Sequence, residues 1–252
     1  MTQNARAMPS FVIRMLLMVL AVVLLAACTK KTTTSANSNK AGVLAGVAKP
    51  GILGLPEVSA AHFWSMMGSH LTYIQQGHGG PLIYDFTDTN CPYCHVMYSS
   101  EKRLINEGRL TVRYVPVAMI EPSSMSEAVY LLQAKSPAME LSHIERIIGD
   151  NMDNKNHAML PHATHVFDKP STRDMATIRE IELNNGFLRE INVDQLPDII
   201  YQQRGGHLGL VSGLISAGRL TAMLSKIARA PDAYMKNAHN RVAPVLMGEN
   251  DE

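Results

Sequence analysis

With 252 residues, 46% hydrophobic and 18% charged, the chain has the composition of a globular protein of one or two domains, which excludes a disordered or collagenous chain. Lys plus Arg number 23 against 22 Asp plus Glu, a formal charge of +1, so no basic excess points to nucleic acid as a partner. Three cysteines are too few for a disulfide-stapled miniprotein.

The first fourteen residues carry Arg6 and Arg14 and no acid, and Met15 to Ala27 is an unbroken apolar run. That run is shorter than the roughly 20 residues of a membrane span. A basic start, a short apolar core and small residues at its end predict a secretory signal peptide over 1–27. The end, Leu25-Ala26-Ala27-Cys28, resembles the lipobox of bacterial lipoproteins. The resemblance implies that Cys28 is lipidated and becomes the new N-terminus; the alternative is an uncleaved anchor with an incidental cysteine. Thr29, in place of Asp, follows Cys28, which by likeness to enterobacterial lipoproteins favours the outer membrane. Removal of 1–27 leaves 21 basic and 22 acidic side chains, a charge of −1. Cys91 and Cys94 then lie in an exported protein, where disulfide chemistry is permitted.

Residues 28–55 are rich in Thr, Ser, Asn, Ala, Gly and Lys without an apolar period and read as a flexible tether. A linker segment, 56–80, starts with a helix predicted over about Pro56–Gln75, with Phe63, Met66, Met67 and His70 at helical spacing, and is broken by Gly77-His78-Gly79-Gly80. Pro81–Phe86 reads as a strand, Pro92–Glu107 as a helix ending at Gly108, and Leu110–Val117 as a second strand. A helical block at about 121–190 contains helices near 124–134, 137–149 and 171–190. Strands at Asp198–Gln202 and His207–Val211 and a helix at Ser216–Ala230 follow, and 236–252 reads as a tail. The class is α/β, with the order β-α-β, a helical block, then β-β-α.

The sharpest feature is Cys91-Pro92-Tyr93-Cys94, placed after a strand and opening a helix. A bare C-x-x-C is ambiguous between zinc and redox chemistry. Zinc needs two further ligands, and no second C-x-x-C exists. A cysteine at a helix N-terminus is stabilised as thiolate by unpaired N–H groups and the helix dipole. Pro92 suits the first turn. Cys91 is then the exposed nucleophile that forms a mixed disulfide, and Cys94, one turn on, the resolving thiol. An inert disulfide is the bland alternative.

The segment Phe86-Thr87-Asp88-Thr89-Asn90-Cys91-Pro92-Tyr93-Cys94-His95 resembles the active-site segment of the periplasmic thiol:disulfide interchange proteins DsbC and DsbG. The likeness extends to Phe63-Trp64, Val112-Arg113-Tyr114 and Gln195-Leu196-Pro197-Asp198. It implies a thioredoxin-like fold with a helical insertion, over about 81–235. It also implies that Pro197 is a cis-proline whose loop, with Leu196 before it, grips substrate; a trans proline at a strand start is the alternative. DsbC and DsbG generally have threonine where Leu196 stands, which leaves the redox direction open. Asp85 matches the buried Asp of thioredoxin. A buried carboxyl there has a raised pKa and can take the proton of Cys94, or it is a strand-end acid without a role. His95 can stabilise the Cys91 thiolate or sit at the surface, and Tyr93 can contact substrate or fill the loop.

The resemblance implies an oxidoreductase or disulfide isomerase that needs no metal or organic cofactor, because the Cys91–Cys94 disulfide carries the electrons. Its partners would be exported cysteine-containing proteins, a membrane thiol reductase of the DsbD type and, through Cys28, the membrane. About 50 residues between Cys28 and the first strand do not fit the dimerisation domain of DsbC and DsbG, so a monomer is expected. The rival reading is a structural lipoprotein, or a dedicated chaperone, of a cell-envelope secretion or conjugation assembly with a secondary redox role. His157, His162 and His165 cluster without a metal-site spacing and read as a solvated loop. Met66 and Met67 read as helix packing rather than a client surface, and Trp64 as an anchor of its helix.

Overall fold

The computed structural model describes residues 41–44 (as backbone), 60–155, 157–193 and 195–229. The expected signal peptide, Cys28, most of the tether and the tail lie outside the described residues. In chain order the elements are β1 (Ala41–Leu44), α1 (Ala60–His70), β2 (Ile74–Gln76), β3 (Leu82–Thr87), α2 (Pro92–Asn106), β4 (Thr111–Pro116), α3 (Ser124–Gln133), α4 (Pro137–Met152), α5 (Thr172–Glu190), β5 (Asp198–Gln202), β6 (Leu208–Ser212) and α6 (Ala217–Leu224). The six strands form one sheet in the order β1-β6-β5-β3-β4-β2. β3 runs parallel to β4 and antiparallel to β5.

β3 and β4 are buried along their whole length, because helices cover both faces of the sheet. The strand period of two sorts their side chains. Ile83, Val112, Tyr114, Ile199 and Val211 pack with Met97 and Leu104 of α2 and the inner faces of α3, α4 and α6. Leu82, Tyr84, Phe86, Val115 and Ile200 pack on the other face against Phe63, Trp64, Met66 and Met67 of α1 and Phe187 of α5. Met66, Met67 and Trp64 are thus core residues. Arg113 is buried on this second side, its guanidinium 4.3 Å from the Tyr73 ring centre and Nη1 donating to the Tyr84 hydroxyl at 2.6 Å.

α5 starts on a capping box, Ser171 with Asp174. Near its end Asn184 Oδ1 accepts the Thr72 N–H at 3.2 Å, while Nδ2 donates to the carbonyls of Thr72 at 3.0 Å and Pro116 at 2.8 Å. The helical insertion is thereby joined to the backbone around β2 and β4.

Three sequence expectations are corrected. The helix drawn to Gln75 ends at His70, and Ile74–Gln76 becomes an edge strand on β4, held by pairing from Tyr114 to Val112 rather than by local propensity. Ala41–Leu44, assigned to the tether, pairs with β6, a contact no local pattern announces. The last helix stops at Leu224, where Gln203 and Ile227 bridge and the Ala228 N–H donates to the Gln202 carbonyl at 2.7 Å.

Candidate active site

β3 delivers its C-terminal end to a short loop, 88–91, that opens α2, and that loop is clamped. The buried Asp88 carboxylate accepts the N–H groups of Asn90, Met119 and Ile120 at 2.9, 2.8 and 3.0 Å and the Ser124 hydroxyl at 2.8 Å. The Thr89 hydroxyl and Asn90 Nδ2 donate to Glu127 on α3 at 2.5 and 2.7 Å. Sequence reasoning gave Asp88 no role. Its bond to the N–H two residues on is an Asx turn, the one signal that could have marked it.

Cys91 is the N-cap of α2, and Pro92 occupies the first turn. The Cys94 N–H donates to Cys91 Sγ at 3.3 Å. The two sulfurs are not bonded to each other in this structure. Their environments push them apart. The Cys94 thiol as hydrogen-bond donor, helped by the N–H groups of Cys94 and Tyr93, lowers Cys91 against the opposing effects of burial and Asp88. Burial, the bond to Cys91 and the charge of Asp85 raise Cys94 far above an ordinary thiol. The expected exposed nucleophile is corrected in one respect: Cys91 is only 4% exposed, because its sulfur turns in toward the first-turn N–H groups.

Asp85 lies on the sheet face that carries Ile83, beneath α2, and is 1% exposed. Burial raises it well above the carboxylate range, reinforced by Glu101, Asp198 and Glu145. The Leu196–Pro197 peptide is cis. Asp198 pairs opposite Phe86, so Pro197 sits at the end of the sheet where β3 runs into the Cys91 loop. The Gly213 N–H donates to the Pro197 carbonyl at 2.8 Å. Leu196 packs partly against the α1-side core.

A family model agrees with this architecture. The thioredoxin-like domain profile matches residues 72–228. The chain belongs to the thioredoxin-like family. It is similar to the thiol:disulfide interchange protein DsbG of Pseudomonas aeruginosa, 29% identical over 65 residues, 26% of this chain and 25% of that protein. DsbG of Escherichia coli is 32% identical over 57 residues, 23% of each chain. The matches thus span about a quarter of the length of these curated relatives. Among solved structures, the catalytic domain of Proteus mirabilis ScsC superposes with a TM-score of 0.47 at 15% identity, over 66% of this chain and 95% of that one.

In this thioredoxin-like domain Tyr93 stands out at 60% exposed beside the cysteines. His95 does not join it. Its side chain is 15% exposed, and Nδ1 lies 2.7 Å from Glu145 Oε2 on α4. Gly149 leaves room for the ring, since a Cβ there would meet it at 3.1 Å. A groove of about 330 Å³ opens beside Pro92, lined by Thr89, Asn90, Ile148, Asn151, Met152 and Leu160. Among the described residues no three His, Cys, Asp or Glu side chains converge to hold a metal, His157, His162 and His165 included. No described helix is long and apolar enough to cross a membrane. Glu101 and Glu145 were missed in the sequence. Cys94, Met97, Tyr98, Glu101 and Leu104 recur at helical spacing, which puts Glu101 on the buried face of α2.

Proposed function

We propose that the chain is a thiol:disulfide oxidoreductase of exported proteins, working through Cys91 and Cys94. The observation that carries this reading is the placement of Cys91 as the N-cap of α2, its sulfur accepting the Cys94 N–H at 3.3 Å; the opposed shifts of the two thiols agree with it. The Cys91 thiolate attacks a client disulfide and forms a mixed disulfide. Cys94 loses its proton, with Asp85 as acceptor, and attacks Cys91 Sγ. The Cys91–Cys94 bond forms as the bond to the client breaks, and the electron pair leaves on the client sulfur. The client is thereby reduced by two electrons; the reverse sequence oxidises it. The Pro197 loop, with Leu196 and Tyr93, holds the client chain. His95 serves as a brace on α4 rather than as a substrate contact.

No metal or organic cofactor enters this chemistry. A membrane thiol reductase of the DsbD type returns the electrons, and the direction is reduction or isomerisation. The protein works as a monomer facing the periplasm, tethered through lipidated Cys28, with the outer membrane favoured. The test is the thiol state in cells, read by acid quench, alkylation and mass shift. Mostly reduced Cys91 and Cys94 support the reading; a mostly oxidised pair turns it toward an oxidase.

A further inference from the structure

The helix that carries the cysteines also carries a carboxylic acid at a core position. Glu101 is fully buried on α2 between Tyr98 and Leu104, facing the sheet. Its neighbours come from each element around it. Asp85 lies on β3, the Tyr114 hydroxyl on β4 and Glu145 on α4. Asp85 in turn faces Glu101, Asp198 at the start of β5, and Glu145. His95 also borders this group, with Nδ1 2.7 Å from Glu145 Oε2.

Asp85 Oδ1 and Oδ2 and Glu101 Oε1 and Oε2 are all buried without a hydrogen-bond partner among the described residues, and Glu101 is the carboxyl whose charge weighs most on Asp85. An ionised carboxylate only accepts, and neither group has a donor among the described residues to accept from. Two adjacent buried charges of one sign, with no cation on either, are prohibitively costly. The pair therefore keeps at least one proton.

We propose that Glu101 is the second half of a proton-sharing carboxyl pair with Asp85, and that the singly protonated pair, not Asp85 alone, accepts the Cys94 proton. Glu101 is a positioning residue, since it acts on the sulfur through Asp85. This rests on the reading of Cys94 as the resolving thiol. In the step, the proton of Cys94 Sγ–H moves to the pair, which becomes neutral. The Cys94 thiolate attacks Cys91 Sγ, a Cys91–Cys94 bond forms, and the electron pair of the broken bond leaves on the other sulfur. Reduction runs in reverse and returns the proton to Cys94. Burial pushes Glu101 up to about 8, so the base becomes available as the pH rises through that region.

The experiment follows glutathione release by rapid acid quench, from reduced protein mixed with oxidised glutathione, between pH 5 and 9. Glu101→Gln keeps the shape, removes the like charge that holds a proton on Asp85, and supplies an amide donor. The expected result is an acid midpoint moved at least one pH unit downward, with release at pH 6 about tenfold faster. Asp85→Asn is expected to slow release across the range. If Asp85→Asn slows release but Glu101→Gln overlays the wild type, the pairing is overturned and Asp85 acts alone. If Asp85→Asn changes nothing, the reading of Asp85 as acceptor fails and the pair with it. Infrared spectroscopy of the full wild-type chain keeps the test independent of variant folding. A protonated-carboxyl band persisting at pH 7 is expected; its loss by pH 6 overturns the pair.

Discussion

His95 Nδ1 meets Glu145 Oε2 at 2.7 Å, joining the residue after the cysteine motif to the middle of α4. Burial raises the Glu145 carboxyl, and the imidazole opposes that rise. Glu145→Ala strands a mostly buried imidazole. It is expected to lose roughly 1–3 kcal/mol in urea unfolding. An unchanged midpoint would mean that α2 and α4 are held by their apolar contacts alone.

The buried acids give stability a pH slope of defined sign. Asp85, Glu101 and Glu145 all have folded pKa values raised above the ordinary carboxylate range, Glu101 to about 8. Between the unfolded and folded values the native state binds more protons, so stability falls as pH rises. The contribution is present below about 4.5 and is lost as the pH passes 8. The slope is about 1.4 kcal/mol per pH unit for each proton. Melting is expected to be higher at pH 6 than at 8.5, and Glu101→Gln should flatten the difference. A melting temperature that rises across this range would contradict the assignment.

Asp88→Ala leaves three N–H groups and the Ser124 hydroxyl without their acceptor. A cost of roughly 2–4 kcal/mol is expected by denaturant unfolding. Asp88→Asn removes a charge that raises Cys91, so the Cys91 thiol should become more acidic as the fold weakens. Thiolate absorbance against pH reads the second effect.

Asn184→Ala should cost roughly 2–4 kcal/mol, because the Thr72 N–H and two carbonyls lose their partner in the interior. Asn184→Asp is expected to be no better, since a carboxylate cannot donate to the carbonyls of Thr72 and Pro116. Equal urea midpoints for wild type and both variants would show that water replaces the amide.

Much of this was legible in the sequence because the signals are local. Pro92 after Cys91 marked the start of α2, and Pro197 before an apolar run marked β5. The three helices between β4 and β5 lie close to their expected bounds, since α3 and α4 carry apolar stripes and α5 opens on the Ser171–Asp174 capping box. What escaped depends on distant partners. Ile74–Gln76 is three residues long and is a strand because β4 offers it an edge. Ala41–Leu44 pairs with residues 208–211, far along the chain. Glu101 was passed over because a glutamate reads as solvent-facing; only its spacing from Cys94 and Met97 places it inward. His95 looked like a neighbour of the sulfur, and a glutamate fifty residues on, Glu145, decides where its ring goes.

Cys91 and Cys94 divide the chemistry between them, and covalent trapping of a substrate protein separates their roles. Cys94→Ala and Cys91→Ala proteins would each be incubated with a disulfide-bearing substrate protein at pH 7 and analysed by non-reducing mass spectrometry. A mixed disulfide is expected to accumulate on Cys91 in the Cys94→Ala protein, with little or none on Cys94 in the Cys91→Ala protein, whose remaining thiol is raised where that of Cys91 is lowered. Equal trapping on either cysteine, or none on Cys91, would contradict it.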